Sequence, residues 1–277
     1  MKLKLTNNFA KPTLTALAVA SCLCLASVAH AGFINGGFED GTFNGWTLKY
    51  GTNDGYTPGS NPLNSVTWGG SAPTPVIVDK STDTDAYVPG FASTFVGNKQ
   101  AKINDIDGDN HVTQLSQTGT INASDLNGGT TASVYIDWIS VMDNPGHDDG
   151  ENPWFNIDIT KNGVSVYDVT HTSTDTGWTK TGTYGSDDVF EGAGQAVLGG
   201  LNVGDKIDVL MTVADCSLGA HGAYAYLDGI GTAPPTPPTP TPTPTPTPPN
   251  CVPEASSTLA LLSLGFVCLG VMRRRLF

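Results

Sequence analysis

Residues 32–233 contain no stretch whose apolar residues recur at helical spacing, and several stretches in which they recur at every second position. Ala132, Val134, Ile136 and Trp138 alternate with Ser133, Tyr135 and Asp137. Phe155, Ile157 and Ile159 alternate with Asn156, Asp158 and Thr160. Ile207, Val209, Met211 and Val213 share their run with Asp208 and Thr212. A period of two puts the apolar set on one face of an extended strand and the polar set on the other. Residues 46–50, 75–79, 100–103, 111–118, 164–170, 178–184 and 223–230 are further strand candidates, separated by clusters of Gly, Asn and Asp. No internal repeat is visible. About 200 residues suffice for one substantial core. The expected fold is all-β: a single β-sandwich of the jelly-roll kind.

Charge narrows the partners. The segment 32–233 carries seven Lys and no Arg against 25 acidic residues. Such a surface repels nucleic acid and anionic lipid. Without Arg it has no bidentate fork for phosphate. Asp-rich loops suit a hard cation such as Ca²⁺. Only Cys216 lies inside this segment, with Cys251 just beyond it, so a disulfide framework is excluded. Cys216 reads as a small buried hydrophobe.

The two edges of the segment resemble a known family. Asn35-Gly36-Gly37-Phe38-Glu39-Asp40-Gly41 leads to Gly45-Trp46, and Ala225-Tyr226-Leu227-Asp228-Gly229-Ile230 closes the segment. This pair resembles the galactose-binding-like jelly roll shared by many carbohydrate-binding modules. The resemblance implies that the first and last strands lie together and that Glu39 and Asp228 share a structural Ca²⁺. The interior resembles domains of bacterial surface and adhesin-like proteins, through Asn144-Pro145-Gly146-His147 and the pattern running from Asp215-Cys216 through His221 to Asp228.

Several side chains are candidates for chemistry. Asp105, Asp107 and Asp109, with Gly108, place carboxylates at alternate positions as a Ca²⁺ loop does, but no Glu stands at the distal position; a solvated Asx turn is the other reading. His147, Asp148, Asp149 and Glu151 lie in one loop and Cys216 and His221 in another. They make a metal site only if His147 and His221 meet; otherwise His221, between Gly219, Ala220 and Gly222, is a hydrogen-bonded residue in close-packed backbone. Exposed aromatics suit a sugar-binding face, because sugar rings stack on flat apolar surfaces while amides and carboxylates take the hydroxyls. Tyr56, Trp68, Trp154 and Trp178 are the candidates, and Trp46 and Trp138 are expected in the core. There is no Gly-x-Ser-x-Gly elbow and no His-Glu-x-x-His, so no enzyme is expected.

The ends of the chain read as addresses. Lys2, Lys4 and Lys11 precede an apolar run at 14–28 and a small-x-small site, Ala29-His30-Ala31, which predicts export through the Sec translocon and cleavage before Gly32 by signal peptidase. Residues 234–250 are nearly pure Pro and Thr, an extended polyproline stalk of roughly 50 Å. Residues 257–272 are uncharged and span about 24 Å as a helix, a short membrane span whose Arg273, Arg274 and Arg275 stay cytoplasmic. Val252-Pro253-Glu254, the short apolar run and the Arg cluster resemble the PEP-CTERM sorting signal, with Ala255 where that family usually has Pro. The resemblance implies processing by an exosortase of a Gram-negative bacterium, an inner-membrane intermediate, and final placement at the cell surface or in the extracellular matrix. The domains are therefore expected as signal peptide 1–31, β-sandwich 32–233, linker 234–250 and sorting signal 251–277. The expected function is a Ca²⁺-supported module that binds exopolysaccharide or a surface glycan. The alternatives are a biofilm-matrix protein without a ligand pocket and a polysaccharide-modifying hydrolase.

Overall fold

The computed structural model describes residues 32–56, 59–148 and 150–232. The expected cleavage site (Ala29, Ala31), the stalk, and the sorting signal with Val252, Pro253, Glu254, Arg273, Arg274 and Arg275 lie outside them, as does Asp149. Among the described residues no helix is long and apolar enough to cross a membrane.

The described chain is all-β. Its strands are β1 (Thr47–Asn53), β2 (Val66–Trp68), β3 (Val76–Asp79), β4 (Lys99–Ile103), β5 (His111–Thr120) and β6 (Ala132–Asn144), then β7 (Trp154–Lys161), β8 (Val164–Thr172), β9 (Thr179–Tyr184), β10 (Asp187–Leu201), β11 (Lys206–Ala214) and β12 (Ala223–Gly231). They form two six-stranded antiparallel sheets, β2-β1-β5-β11-β7-β8 and β3-β4-β12-β6-β10-β9. From β4 onward the chain passes repeatedly from one sheet to the other, as in a jelly roll. The apolar alternates of β5, β6, β7, β11 and β12 meet between the sheets, with Leu115, Ile136, Ile157, Met211 and Leu227 fully buried.

Two strands had no clear signature in the sequence. β2 is three residues long, and β10 carries four glycines in its fifteen. The reason for two of these glycines is tertiary. A Cβ on Gly194 would sit 2.4 Å from the Trp138 ring, and one on Gly192 would sit 2.9 Å from the Trp178 ring. The strand keeps glycine there because two indoles lie across its backbone.

The first and last strands do not pair. β1 lies between β2 and β5, and β12 lies in the other sheet between β4 and β6. The chain ahead of β1 takes that place instead: a Cβ on Gly36 would lie 2.4 Å from the carbonyl oxygen of Ile230. Phe38 is wholly buried there and stacks on Trp46, ring centroids 5.0 Å apart.

The outer faces of the two sheets differ. That of the β12 sheet is covered: Val88, Phe91 and Phe95 pack on Ile139, Val141, Val189, Tyr224 and Tyr226. Asp85 accepts the hydroxyls of Tyr224 and Tyr226 at 2.7 and 2.5 Å, and Lys102 Nζ stands 3.8 Å over the Tyr224 ring. The outer face of the β11 sheet is largely polar, with Thr47, Lys49, Thr118, Asp168 and Thr170 exposed.

Asp205 joins the turns at one end of the β11 sheet. It accepts from the Asn202 amide at 2.8 Å, from Asn162 Nδ2 at 2.9 Å and from Lys161 Nζ at 2.8 Å. The Lys161 contact first, then the Asn202 and Asn162 donors, hold its carboxyl down to about 2. A depressed carboxyl stabilises the fold above its unfolded value, and the contribution vanishes as pH falls through the folded one. Asp205→Asn is therefore expected to melt below the parent at pH 6, with the gap closing by about pH 2. Thermal melting across that range checks it, and a gap independent of pH contradicts it.

Candidate functional site

Strand register builds the open face. Across β5, β11 and β7 it aligns Thr118, Asp208 and Thr160. The next row outward on the same face is Thr47, Ser116, Leu210, Asp158 and Asp168. The third is Lys49, Gln114, Thr212, Asn156 and Thr170. The fourth turns apolar: Trp68, Gly51, Val112, Ala214 and Trp154.

These polar side chains are linked to one another. Asp208 accepts Thr118 Oγ1 at 2.5 Å and Thr160 Oγ1 at 2.9 Å. Asp158 accepts Ser165 Oγ at 2.7 Å. Asn156 Nδ2 donates to Asp168 at 3.0 Å and to Thr170 Oγ1 at 2.9 Å. Two hollows open over the rows. One of about 400 Å³ lies against Thr47, Ser116, Thr118, Asp158, Thr160 and Asp208. The other, about 220 Å³, lies between the loop at 59–63 and Asn156, Asp158, Asp168 and Thr170. Asp158 lines both, so the hollows adjoin along one groove. Fixed acceptors and hydroxyls in such a groove suit a ligand that presents many hydroxyls.

The aromatic candidates divide. Tyr56, Trp68 and Trp154 do come together, with Tyr56 and Trp154 edge to face at 6.3 Å. Trp154 is wholly buried and Tyr56 is 9% exposed, so these two fill an apolar cluster with Leu63 and Val66 and cannot stack on a sugar. Trp68 stays half-buried at the rim, with Lys49 Nζ 3.8 Å over its ring. Trp178 packs on the main core and against His171 at 5.2 Å. Trp46 and Trp138 are in the core, as expected. The groove carboxylates Asp158 and Asp208 were visible in the sequence only as the polar alternates of strands, a signal every solvated sheet face shares.

Glu39 and Asp228 meet at one stretch of backbone. Asp228 Oδ2 accepts the Val96 amide at 2.8 Å, and Glu39 Oε1 accepts the amides of Asn98 and Lys99 at 2.7 and 3.0 Å. A Cβ on Gly97 would stand 2.0 Å from that Glu39 oxygen. Asp228 is almost fully buried, and its carboxyl is pushed up to about 8. Burial is the main cause, the Val96 and Gly229 amides oppose it, and the charges of Glu39 and Asp137 add to it. Asp137 Oδ2 is buried without a hydrogen-bond partner. Among the described residues these three acids do not bring their oxygens within 4.8 Å of one another, and backbone amides already occupy oxygens of Glu39 and Asp228.

Asp105, Asp107 and Asp109 do not converge. Asp105 accepts the Asp107 amide at 3.0 Å, an Asx turn, and Asp107 takes the hydroxyl of Tyr184. His147 and His221 do meet, ring centroids 4.9 Å apart.

No protein-family model matches the chain, and no curated protein does. Solved structures give distant likenesses. The enzymatically active domain of tailspike protein 4 of bacteriophage CBA120 aligns at 9% identity and TM-score 0.31, covering 72% of this chain and 21% of that one. CBM27-1 of Caldicellulosiruptor saccharolyticus, solved with mannohexaose, aligns at 11% identity and TM-score 0.33, covering 70% and 93%. A family 35 carbohydrate-binding module of Clostridium thermocellum aligns at 15% identity and TM-score 0.20, covering 55% and 97%. At this distance they identify no ligand for this chain.

Proposed function

We propose that this is an exported, exosortase-sorted surface or matrix protein whose β-sandwich binds neutral polysaccharide in the groove on its β11 sheet. One observation carries the binding: the hydroxyl and carboxylate side chains of Thr47, Ser116, Thr118, Asp158, Thr160, Asp168, Thr170 and Asp208, several of them linked to one another, line two hollows on the outer face of the β11 sheet. Carboxylates accept sugar hydroxyls well and repel acidic glycans. With Asp158, Asp168 and Asp208 in the groove, neutral chains are favoured over uronate or sulfated ones. The leader and the Val252-Pro253-Glu254 tail support export and sorting.

The test is affinity electrophoresis of the purified protein through neutral and acidic polysaccharides. Retardation by a neutral glycan is expected, with at least a tenfold loss in Asp158→Ala and Asp208→Ala, since a hydrogen bond to a charged group is worth about 1.5–3 kcal/mol. Migration unaffected by every glycan defeats the binding reading.

Ca²⁺ held by Glu39 and Asp228, as the edge motifs imply, is the second part of the proposal. It would bind the folded state alone and so raise its stability, by about 2.7 kcal/mol at 100 times Kd. Melting in EDTA should be lower than melting in Ca²⁺, and the difference should disappear in Asp228→Asn. Equal melting in both media removes the ion from the account.

A further inference from the structure

We propose that His147, Cys216 and His221 bind one divalent ion of the zinc class, at a site separate from the glycan groove and from the Glu39–Asp228 carboxylates. One ligand atom from each of the three lies within 4.8 Å of the others. His147 Nδ1 is 3.2 Å from Cys216 Sγ. Two ligands of a tetrahedral ion, at about 2.3 Å for sulfur and 2.0–2.1 Å for nitrogen, stand roughly 3.6 Å apart, so the pair needs only a small adjustment.

The second histidine is oriented for the task. His221 Nε2 faces Asp187 Oδ2 at 3.5 Å, while His221 Nδ1 is buried and has no hydrogen-bond partner. A carboxylate beside one ring nitrogen fixes the proton there and leaves the lone pair on the other, which is how metal-bound histidines are commonly held. Asp143 adds an independent sign. It is 1% exposed, both of its carboxylate oxygens lack partners, and it groups with Asp187 and His221 within 4.8 Å. A buried acid without a donor is stabilised either by taking up a proton or by positive charge nearby. A divalent ion on a thiolate and two neutral imidazoles leaves one positive charge, which Asp187 and Asp143 would offset through His221.

The backbone holds these groups in place without an ion. The Cys216 amide donates to the His221 carbonyl at 2.9 Å, and the Asp143 amide donates to the Gly222 carbonyl at 3.0 Å. Asn152 Nδ2 donates to the His147 carbonyl at 3.1 Å. The 216–222 loop presses on the 105–110 loop so closely that a Cβ on Gly108 would lie 2.0 Å from the His221 amide nitrogen. Two nitrogens and a thiolate select a borderline-soft ion over Ca²⁺. On binding, the Cys216 thiol gives its proton to solvent, and the sulfur lone pair forms the bond to the ion.

The test uses the full chain, stripped with chelator and kept reduced. Added Co²⁺ is expected to produce thiolate-to-metal charge-transfer absorption that saturates at one ion per chain, and Zn²⁺ is expected to abolish it. Cys216→Ser should remove the absorption even though the chain's other cysteines remain. His147→Gln and His221→Gln should each weaken Zn²⁺ binding by more than the about 10–100-fold that losing an outer partner costs, the loss expected for Asp187→Asn. Should Cys216→Ser prove misfolded by circular dichroism, His147→Gln decides by the same absorption, because that ring is only half-buried. No charge-transfer band, a band that survives in Cys216→Ser, a band that His147→Gln leaves at the parent's Co²⁺ affinity, or Zn²⁺ binding only in the millimolar range overturns the site.

Discussion

Replacing Asp215 with Ala will cost the protein about 3–5 kcal/mol of stability, the scale for leaving three hydrogen-bond donors without their shared acceptor. Asp215 has no exposure. Its Oδ1 accepts from Asn104 Nδ2 at 2.7 Å and from the Ala223 amide at 3.1 Å, and its Oδ2 accepts from the His111 amide at 3.1 Å. Asn104 follows β4, His111 opens β5 and Ala223 opens β12. One carboxylate thus ties strands of both sheets. Removing it leaves three buried donors unpaired, each costing about 1–3 kcal/mol before relaxation. Asp215→Asn keeps the shape but turns one acceptor into a donor, so its cost should be smaller than that of Ala. Urea unfolding measures both. A loss under about 1 kcal/mol for Ala would mean that the three donors find other acceptors.

Trp154→Ala will cost about 3–5 kcal/mol, as for a large aromatic removed from a closed core. Trp154 is wholly buried among Tyr56, Val112 and Ala214. Trp68→Ala, half-buried against that cluster with Lys49 over its ring, should cost less than Trp154→Ala: part of its packing and a cation–π contact of about 0.5–1 kcal/mol. The pair separates two roles for an aromatic. If Trp154 were a sugar platform, its loss would abolish glycan binding and spare the fold. The expected result is the reverse, with Trp68→Ala weakening glycan retention while the fold stands. Chemical unfolding and affinity electrophoresis on both variants give the answer, and a Trp154→Ala protein as stable as the parent contradicts the buried assignment.

The strands were legible where alternation is strong. The runs at 132–138, 155–159 and 207–213 became β6, β7 and β11, since a period of two leaves an extended chain as the one way to bury Ile157 and Met211 on one side and turn Asp158 and Asp208 to the other. β10 was not legible. Its glycines at 192 and 194 read as loop, and only the indoles of Trp178 and Trp138 packed across them explain why a strand needs them. Site residues followed the same division. Asp158 and Asp208 could be named as polar alternates, but that they share one uncovered groove depends on which sheet face the 88–95 segment covers.

What the sequence determined alone is what depends on near neighbours: β-strands, an acidic surface without Arg, aromatic residues bound for the core at Trp46 and Trp138, and a single cysteine within 32–233. What the tertiary structure decided is everything that needs distant segments to meet. It buried Trp154 in one cluster with Tyr56, Leu63 and Val66, left Thr118, Asp168 and Thr170 of the β11 sheet exposed, and brought His147 beside Cys216 and His221, 69 or more positions further along the chain. Periodicity reports which side of its own strand a residue takes. Which loop then closes over that side is fixed by strand order and register, and those are settled by the packing of the whole chain.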